Sequence, residues 1–242
     1  MRNIVVDIGN TRTKVGVFER EELTAHYYEL SETVLQQLNI LTSDRIIASS
    51  VGPGLEEVKA LFPAHNLWIT FDRSLKLPLT LDYDTPETLG LDRIAAAVGA
   101  IVKSPSSNVL VIDAGSCLTI DLVTKDQVFR GGIISPGAQM RFKAMHAFTK
   151  KLPQIDWSPA DKATLSIPGL STQQCMKAGV LKGIHYEIAG YVAYYSGLYP
   201  DLQVIMTGGD AQYFENIINT PIFTEDSLVL IGLNRVLEYN VA

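Results

Sequence analysis

The chain has 242 residues, 47% of them hydrophobic and 19% charged, so it can bury a substantial core in one or two domains and is not disordered. Its formal net charge of −6 argues against general binding to nucleic acid or to an anionic membrane surface, because both need a basic face. The two cysteines lack paired spacing, and no zinc pattern, signal peptide or membrane-spanning apolar run is present, which predicts a cytoplasmic protein.

The chain opens with two apolar runs on either side of a polar turn. The first run, Ile4 to Val6, ends at Asp7, and a second strand is predicted from Thr13 to Phe18. Gly9 permits a ligand to approach the backbone closely. The turn and its flanks offer donors or a positive charge at Asn10, Thr11, Thr13 and Lys14. This tip suits a polyphosphate, with Asp7 as a ligand for a metal ion or its waters, although the same residue types occur in ordinary turns.

Short strands and helices alternate through the rest of the first half. The pattern predicts a strand at 24–28, a helix to residue 38 capped by Ser31, a strand at 45–49, a helix at 55–62 and a strand at 66–70. This β-β-β-α-β-α-β order indicates an α/β layer architecture. A strong helix then follows Asp92-Arg93, and its small residues from Ala95 to Gly99 predict close packing. The polar link from Ser104 to Ser107 is the predicted domain boundary.

The stretch from Asn108 to Val123 repeats the opening one. With a constant offset of 106 residues, the matching pairs are Asp7 with Asp113, Gly9 with Gly115, Asn10 with Ser116 and Thr13 with Thr119. Each copy also has an apolar strand before and after its turn. The duplication predicts two similar domains, each beginning with a hairpin whose acidic tip faces a shared cleft.

The second half continues with helices, an irregular segment and a glycine-rich turn. A helix is predicted from Pro136 to about Phe148, a loop at 149–171, and a long helix capped by Thr172 that reaches about Leu198. In that helix Gly179, Gly183 and Gly190 can let another helix approach, across a dimer. A strand at 202–206, a strand-to-helix turn at 207–210 and a helix at 228–239 follow.

The two Asp-x-Gly tips and the later Thr-Gly-Gly turn form a set that suits ATP. Asp7 and Asp113 can serve cations, Lys14 can reach a phosphate, and the turn at Gly208-Gly209 can let adenine or ribose lie against the backbone. Asp92 is the candidate base, or else simply stabilises the first turn of its helix. Arg93 can bind a substrate carboxylate with two hydrogen bonds, or else pair with a surface acid.

Together these motifs resemble the type III pantothenate kinases, within the actin-like and sugar-kinase-like ATPase superfamily. The matching motifs are DIGNTRTK at 7–14, YDTP at 83–86, LGLDR at 89–93, DAGSCLT at 113–119, GGIISPG at 131–137, ST at 171–172 and TGG at 207–209. The resemblance implies an α/β chain of two RNase H-like domains, at 1–107 and 108–242, with ATP in a cleft between them, and a homodimer. It implies phosphorylation of the primary hydroxyl of pantothenate, the first step of coenzyme A biosynthesis, with Mg²⁺ and with K⁺ or NH₄⁺.

The resemblance also implies roles for individual residues. Asp92 is expected to be the general base, and Asp113 to bind the monovalent cation. Contacts to ATP and its phosphates are expected from Asp7, Gly9, Asn10, Thr11, Thr13, Lys14, Ser116, Gly208 and Gly209, with Asp7 also serving the metal. Contacts to pantothenate are expected from Tyr83, Gly90, Leu91, Asp92, Arg93 and Thr172, the last of these across the dimer.

Two other functions compete with this interpretation. A small sugar or N-acetylhexosamine kinase would keep the fold and change the substrate, but Tyr83 and the GLDR motif at 90–93 argue against it. A non-enzymatic accessory factor for transcription, or an actin-like filament, lies outside enzymology. The acidic balance and the lack of a basic stripe disfavour direct contact with DNA.

Overall fold

Two β-sheets organise the part of the chain that the computed structural model describes, which is residues 1–9, 12–50, 54–64, 66–160, 165–215 and 222–241. The strands are β1 Arg2–Ile8, β2 Thr13–Glu19, β3 Glu22–Tyr27, β4 Arg45–Ser50, β5 Leu67–Thr70, β6 Thr80–Leu81, β7 Val109–Ala114, β8 Cys117–Thr124, β9 Val128–Pro136, β10 Gln203–Thr207 and β11 Phe223–Thr224. The helices are α1 Glu32–Leu38, α2 Leu55–Lys59, α3 Leu91–Lys103, α4 Ala138–Ala147, α5 Thr172–Leu198, α6 Ala211–Glu215 and α7 Leu228–Val241.

The chain forms two compact units. Unit 1 comprises Met1–Ser106, Val123–Gly131 and Ser227–Ala242, and unit 2 comprises Ser107–Leu122 and Gly132–Asp226. The predicted division at 107/108 stays a prediction. The bounds of the two units differ from this division, because α7 and the segment Val123–Gly131 belong to unit 1.

Unit 1 is built on the sheet β3-β2-β1-β4-β5. Strand β1 runs antiparallel to β2 and parallel to β4, so it lies in the interior of the sheet, and its residues Ile4, Val5 and Val6 are fully buried. Ile4, Val6 and Ile46 are fully buried on one face of this sheet and pack with α1. Ser31 caps α1, as predicted, because its hydroxyl oxygen accepts a hydrogen bond from the Val34 amide at 3.4 Å.

Helix α7 packs closely against α3 within unit 1. A Cβ atom at Gly99 would collide with the carbonyl oxygen of Leu228, and one at Gly232 would collide with that of Ala95. The small residues predicted to allow close packing therefore do so, and α7 is the partner helix. At its other face α7 is tied to the sheet, since the buried Asn3 amide donates to Asn234 Oδ1 at 2.7 Å.

Unit 2 is built around strands β7 and β10, neighbours in the sheet β11-β10-β7-β8-β9-β6. These two strands run parallel, with Thr207 opposite Asp113, so their carboxyl ends lie at the same edge. Helix α5 buries an apolar stripe of Met176, Val180, Ile184 and Ile188, spaced four residues apart, in the core of this unit. The edge thus presents the second Asp-x-Gly tip beside the Thr-Gly-Gly turn.

Most predicted elements are confirmed, and two local predictions are wrong. Pro136 does not start a helix: it is the last residue of β9, and α4 begins at Ala138. Thr172 is not the cap of α5: Ser171 is, because its hydroxyl oxygen accepts from the Gln174 amide at 3.3 Å. Strand β9 and the two-residue strands β6 and β11 were not predicted. Among the described residues no helix is both long and apolar enough to cross a membrane.

Candidate active site

The hairpin β1–β2 presents the first predicted phosphate tip in unit 1. Asp7 and Lys14 face each other as a pair across the two strands, which places a carboxylate and an ammonium group side by side. At the tip the Gly9 amide donates to the Arg12 carbonyl oxygen at 3.1 Å and closes the turn. The predicted contacts Asn10 and Thr11 lie outside the described residues.

The carboxyl group of Asp7 has a perturbed proton affinity. Burial raises its pKa to about 6, the nearby Lys14 charge works against that rise, and the charge of Asp92 adds to it. Asp92 comes from helix α3, far along the chain from the hairpin. The structure therefore brings the predicted base within electrostatic reach of the predicted phosphate tip, inside unit 1.

Asp92 is held at the start of α3 by its own neighbours. Its Oδ1 accepts a hydrogen bond from the Arg93 amide at 2.8 Å, one of the amides that a helix N-terminus leaves without an intrahelical partner. A Cβ atom at Gly90 would collide with this same oxygen, so the absence of a side chain at Gly90 is what admits the carboxylate. Asp92 stays partly accessible, as a group that exchanges a proton with a substrate must be.

Arg93 lies one residue further along α3 and is 7% exposed. Its guanidinium carbon is 5.9 Å from the ring centroid of Tyr83 and 5.7 Å from that of Phe129. The predicted pantothenate contacts Tyr83 and Arg93 are thus brought together, with Gly90 and the half-buried Leu91 beside them in the chain. Phe129 was missed by the sequence interpretation, because an apolar residue in a strand carries no sign of a site.

The second Asp-x-Gly tip, in unit 2, is enclosed by backbone. The Asp113 carboxylate lies against Gly208, where a Cβ atom would collide with Oδ1 and would lie 2.5 Å from the Ala114 carbonyl oxygen. Gly208 has φ of +99°, which favours glycine. The Gly115 amide closes the tip by donating to the Cys117 carbonyl oxygen at 3.0 Å. Asp113, Ser116, Gly208 and Gly209 share this edge of the sheet.

Asp210 is a carboxylate at the same edge to which the sequence interpretation gave no role. Its amide donates to the Ala114 carbonyl oxygen at 2.9 Å, which fixes the turn against β7. Burial raises the pKa of its side chain to about 6. An aspartate directly after Thr-Gly-Gly at the end of a buried strand is the signal that could have identified it. Thr172, by contrast, is exposed at the first residue of α5.

The residues of the first tip fit a divalent cation carried by a phosphate ligand. Asp7 is desolvated and repelled by Asp92, and a positive ion beside it would relieve both effects. No group of three or more His, Cys, Asp or Glu side chains that could hold a metal ion occurs among the described residues. A cation here would therefore complete its shell with phosphate and water oxygens, as Mg²⁺ does at nucleotide sites.

A family model described as type III pantothenate kinase matches residues 3–194 of the chain. The chain belongs to the type III pantothenate kinase family. A type III pantothenate kinase of Cytophaga hutchinsonii is 42% identical over 99% of this chain and 100% of its own length. Similar proteins of the same name from Phocaeicola vulgatus and Bacteroides fragilis are 37% and 38% identical, each over 98% of both chains. The predicted family and enzyme class are confirmed.

Solved structures show the fold of this pantothenate kinase family member. A Campylobacter jejuni protein assigned to the Baf family of transcriptional activators has a TM-score of 0.61, with 22% identity over 98% of both chains. A Sinorhizobium meliloti protein assigned as a 2-dehydro-3-deoxygalactonokinase has a TM-score of 0.56, with 13% identity over 98% of both chains. The predicted α/β, actin-like ATPase fold class is confirmed. The individual site residues remain predictions.

Proposed function

We propose that this chain transfers the γ-phosphoryl group of ATP to the primary hydroxyl of pantothenate, the first step of coenzyme A biosynthesis. Membership of the type III pantothenate kinase family supports the reaction. The observation that carries the assignment of residues is the electrostatic coupling of Asp7 to Asp92. Phosphoryl transfer to an alcohol needs a proton acceptor near the phosphate site, and this coupling supports Asp92 in that role.

Asp92 accepts the proton of the attacking hydroxyl. Because the Arg93 amide holds one carboxylate oxygen at 2.8 Å, the side chain is oriented before substrate binds. Arg93 and Tyr83 bind the far end of pantothenate, and the guanidinium pairs with its carboxylate. Lys14, beside Asp7, offsets negative charge as the phosphates approach.

The tip of unit 2 binds the nucleotide in this proposal. The Gly208-Gly209 turn offers bare backbone to adenine or ribose, and Ser116 offers an exposed hydroxyl to a phosphate. When bound, Mg²⁺ beside Asp7 and K⁺ or NH₄⁺ beside Asp113 neutralise charge on the phosphate oxygens. The chain's own contribution is the fixed position of these two carboxylates at the ends of β1 and β7.

We further propose a homodimer in the cytoplasm, with Thr172 reaching the partner's substrate. The exposed face of α5 supports the dimer. At Gly179 and Gly190 no described heavy atom lies within 4 Å of where a Cβ would be, and Tyr186 and Tyr194 are more than half exposed on the same helix. Small residues between exposed rings allow a second helix to pack at short distance.

The test is an ADP-release assay with ATP, Mg²⁺, K⁺ and pantothenate. We expect pantothenate-dependent turnover, and we expect Asp92→Asn to lower kcat by about 100-fold or more while ATP binding is retained, because the amide cannot accept the proton. Glu87→Gln, an exposed acid before the same helix, is the matched control and should keep wild-type kcat. A folded protein that turns over hexoses but not pantothenate would contradict the proposal.

A further inference from the structure

The Arg93 guanidinium occupies a place that the fold alone does not favour. It is in the first turn of α3, where the helix dipole opposes a positive charge, and it is 7% exposed. An arginine kept at such a place is typical of a site that receives an anion. Two aromatic rings contact the guanidinium.

Phe129 is one of those rings, and it is fully buried on β9. Its ring centroid is 5.7 Å from the Arg93 guanidinium carbon, within the range of a cation–π interaction. The centroid is also 6.0 Å from that of Tyr83, with the two planes tilted by 59°. A single buried side chain therefore contacts both residues proposed to bind pantothenate.

The backbone around Phe129 fixes this arrangement. Strand β9 pairs with β6, with Leu81 opposite Phe129, and the Asp82 amide donates to the Phe129 carbonyl oxygen at 2.9 Å. This bond ties the chain just before Tyr83 to the strand that carries Phe129. The Tyr83 ring packs over Gly131, where a Cβ atom would come within ordinary van der Waals contact, 3.5 Å, of a ring carbon.

We infer that Phe129 is a positioning residue for the recognition of the pantothenate carboxylate, acting through Arg93 and Tyr83. The inference rests on the proposed function. Phe129 is inaccessible to substrate, so it acts only through the two side chains that it touches. Its ring supplies a fixed negative face to the guanidinium, which keeps the fork of N–H donors aimed at the carboxylate.

The test compares pantothenate with pantothenyl alcohol, in which a hydroxymethyl group replaces the carboxylate. For Phe129→Leu we expect the KM for pantothenate to rise about tenfold, with kcat and the KM for ATP within about twofold of wild type. The KM for the alcohol should change by less than about twofold, because it has no carboxylate for Arg93. Phe18→Leu, the same change at a fully buried position on β2, is the control and should leave all three constants unchanged.

A ring-fluorinated phenylalanine at position 129 separates the cation–π interaction from packing. Fluorination weakens the negative face of the ring with little change in size, so we expect about a threefold rise in KM for pantothenate at an unchanged melting temperature. This variant also serves if Phe129→Leu does not fold. In an Arg93→Met background, Phe129→Leu should add no further rise in KM for pantothenate.

Several outcomes would overturn the inference. A rise in KM that is equal for the acid and the alcohol, or a fluorinated ring without effect, would make Phe129 a packing residue only. A wild-type protein that does not phosphorylate pantothenate would instead refute the proposed function. The wild-type assay thus distinguishes failure of the function from failure of the positioning role.

Discussion

The two Asp-x-Gly tips share a sequence pattern, yet their surroundings differ. Asp7 lies among charges: Lys14 faces it across the hairpin, and burial together with the charge of Asp92 raises its pKa to about 6. The Asp113 side chain lies close against backbone, and its Oδ1 is close to the points where Cβ atoms at Gly115 and Gly208 would stand. The first tip is thus distinguished by its electrostatic environment, and the second by the steric crowding around its carboxylate.

This difference indicates how a duplicated motif takes on two tasks. A carboxylate coupled to an ammonium group and a second acid responds strongly to any charge that arrives, which suits phosphates with a divalent cation. A carboxylate enclosed by backbone has a fixed position and little freedom, which suits a ligand of defined size. Three experiments can break or sharpen this comparison.

The largest effects on activity are expected when the aspartate of each tip is replaced by asparagine. The two replacements should change the response of the enzyme to different cations. Asp7→Asn should lower kcat/KM for ATP by about 100-fold at low Mg²⁺, with partial recovery at high Mg²⁺, because a charged ligand is lost. Asp113→Asn should raise the K⁺ concentration for half-maximal rate by about tenfold and leave the Mg²⁺ response unchanged. Titration of Mg²⁺ and of K⁺ in the ADP-release assay measures both responses. If both variants change the requirement for the same cation, the two tips do not serve different cations.

Glycine-to-alanine changes should test the steric character of the second tip. Gly208→Ala should lower the free energy of unfolding by about 3 kcal/mol, since the residue has φ of +99° and a Cβ would meet Asp113 and Ala114. Gly209→Ala, with no described heavy atom within 4 Å of its Cβ position, should change it by less than about 0.5 kcal/mol. Urea unfolding of the two variants provides the measurement. Equal losses of unfolding free energy in the two variants would show that steric crowding at Gly208 does not determine the structure of this tip.

The pH dependence of stability should reveal the electrostatic character of the first tip. The pKa of Asp7 is about 6 in the folded chain against 3.8 for a free side chain, so between these pH values the folded state holds a proton that the unfolded state has released. The free energy of unfolding contributed by Asp7 therefore falls as pH rises from about 4 to about 6 and stays low above that.

Asp7→Asn removes this ionisation and should raise the free energy of unfolding at pH 7.5, relative to wild type, by about 1 kcal/mol after allowance for partial exposure. At pH 4 the two proteins should differ little. Urea unfolding across this range measures the difference. A wild-type advantage that grows with pH would mean that the Asp7 carboxylate is stabilised when charged, contrary to the effect of burial and of the Asp92 charge.

The sequence predicted the parts of the site that follow from local pattern. The apolar runs on either side of the first turn predicted the hairpin that carries Asp7 and Lys14, and the small apolar residues after Arg93 predicted α3. The 106-residue repeat correctly pointed to two acidic strand ends. The exact ends of helices and strands were predicted less well. Ser171 and Thr172 are both residue types that cap helices, so the sequence does not distinguish them. Pro136 is compatible with the end of a strand as well as with the start of a helix.

Contacts between distant residues were beyond such reasoning. Nothing in the pattern around Phe129 shows that its ring will face Arg93, and no spacing rule places Asp92 near Asp7. The two-residue strand β6 is too short for any periodicity, yet it holds the segment before Tyr83. The packing of α7 on α3 also depends on complementary glycines, Gly99 and Gly232, that are far apart in the chain.

That last contact has a consequence for how the protein is made. The ribosome completes the β1–β5 sheet and α3 early, but α7 follows only after the whole of unit 2. At about 10 residues per second, the α7-binding face of α3 waits roughly 10 s for its partner. The N-terminal unit therefore cannot finish folding while it emerges. The nascent chain must keep the apolar surface of α3 around Gly99 from aggregating until α7 has been synthesised.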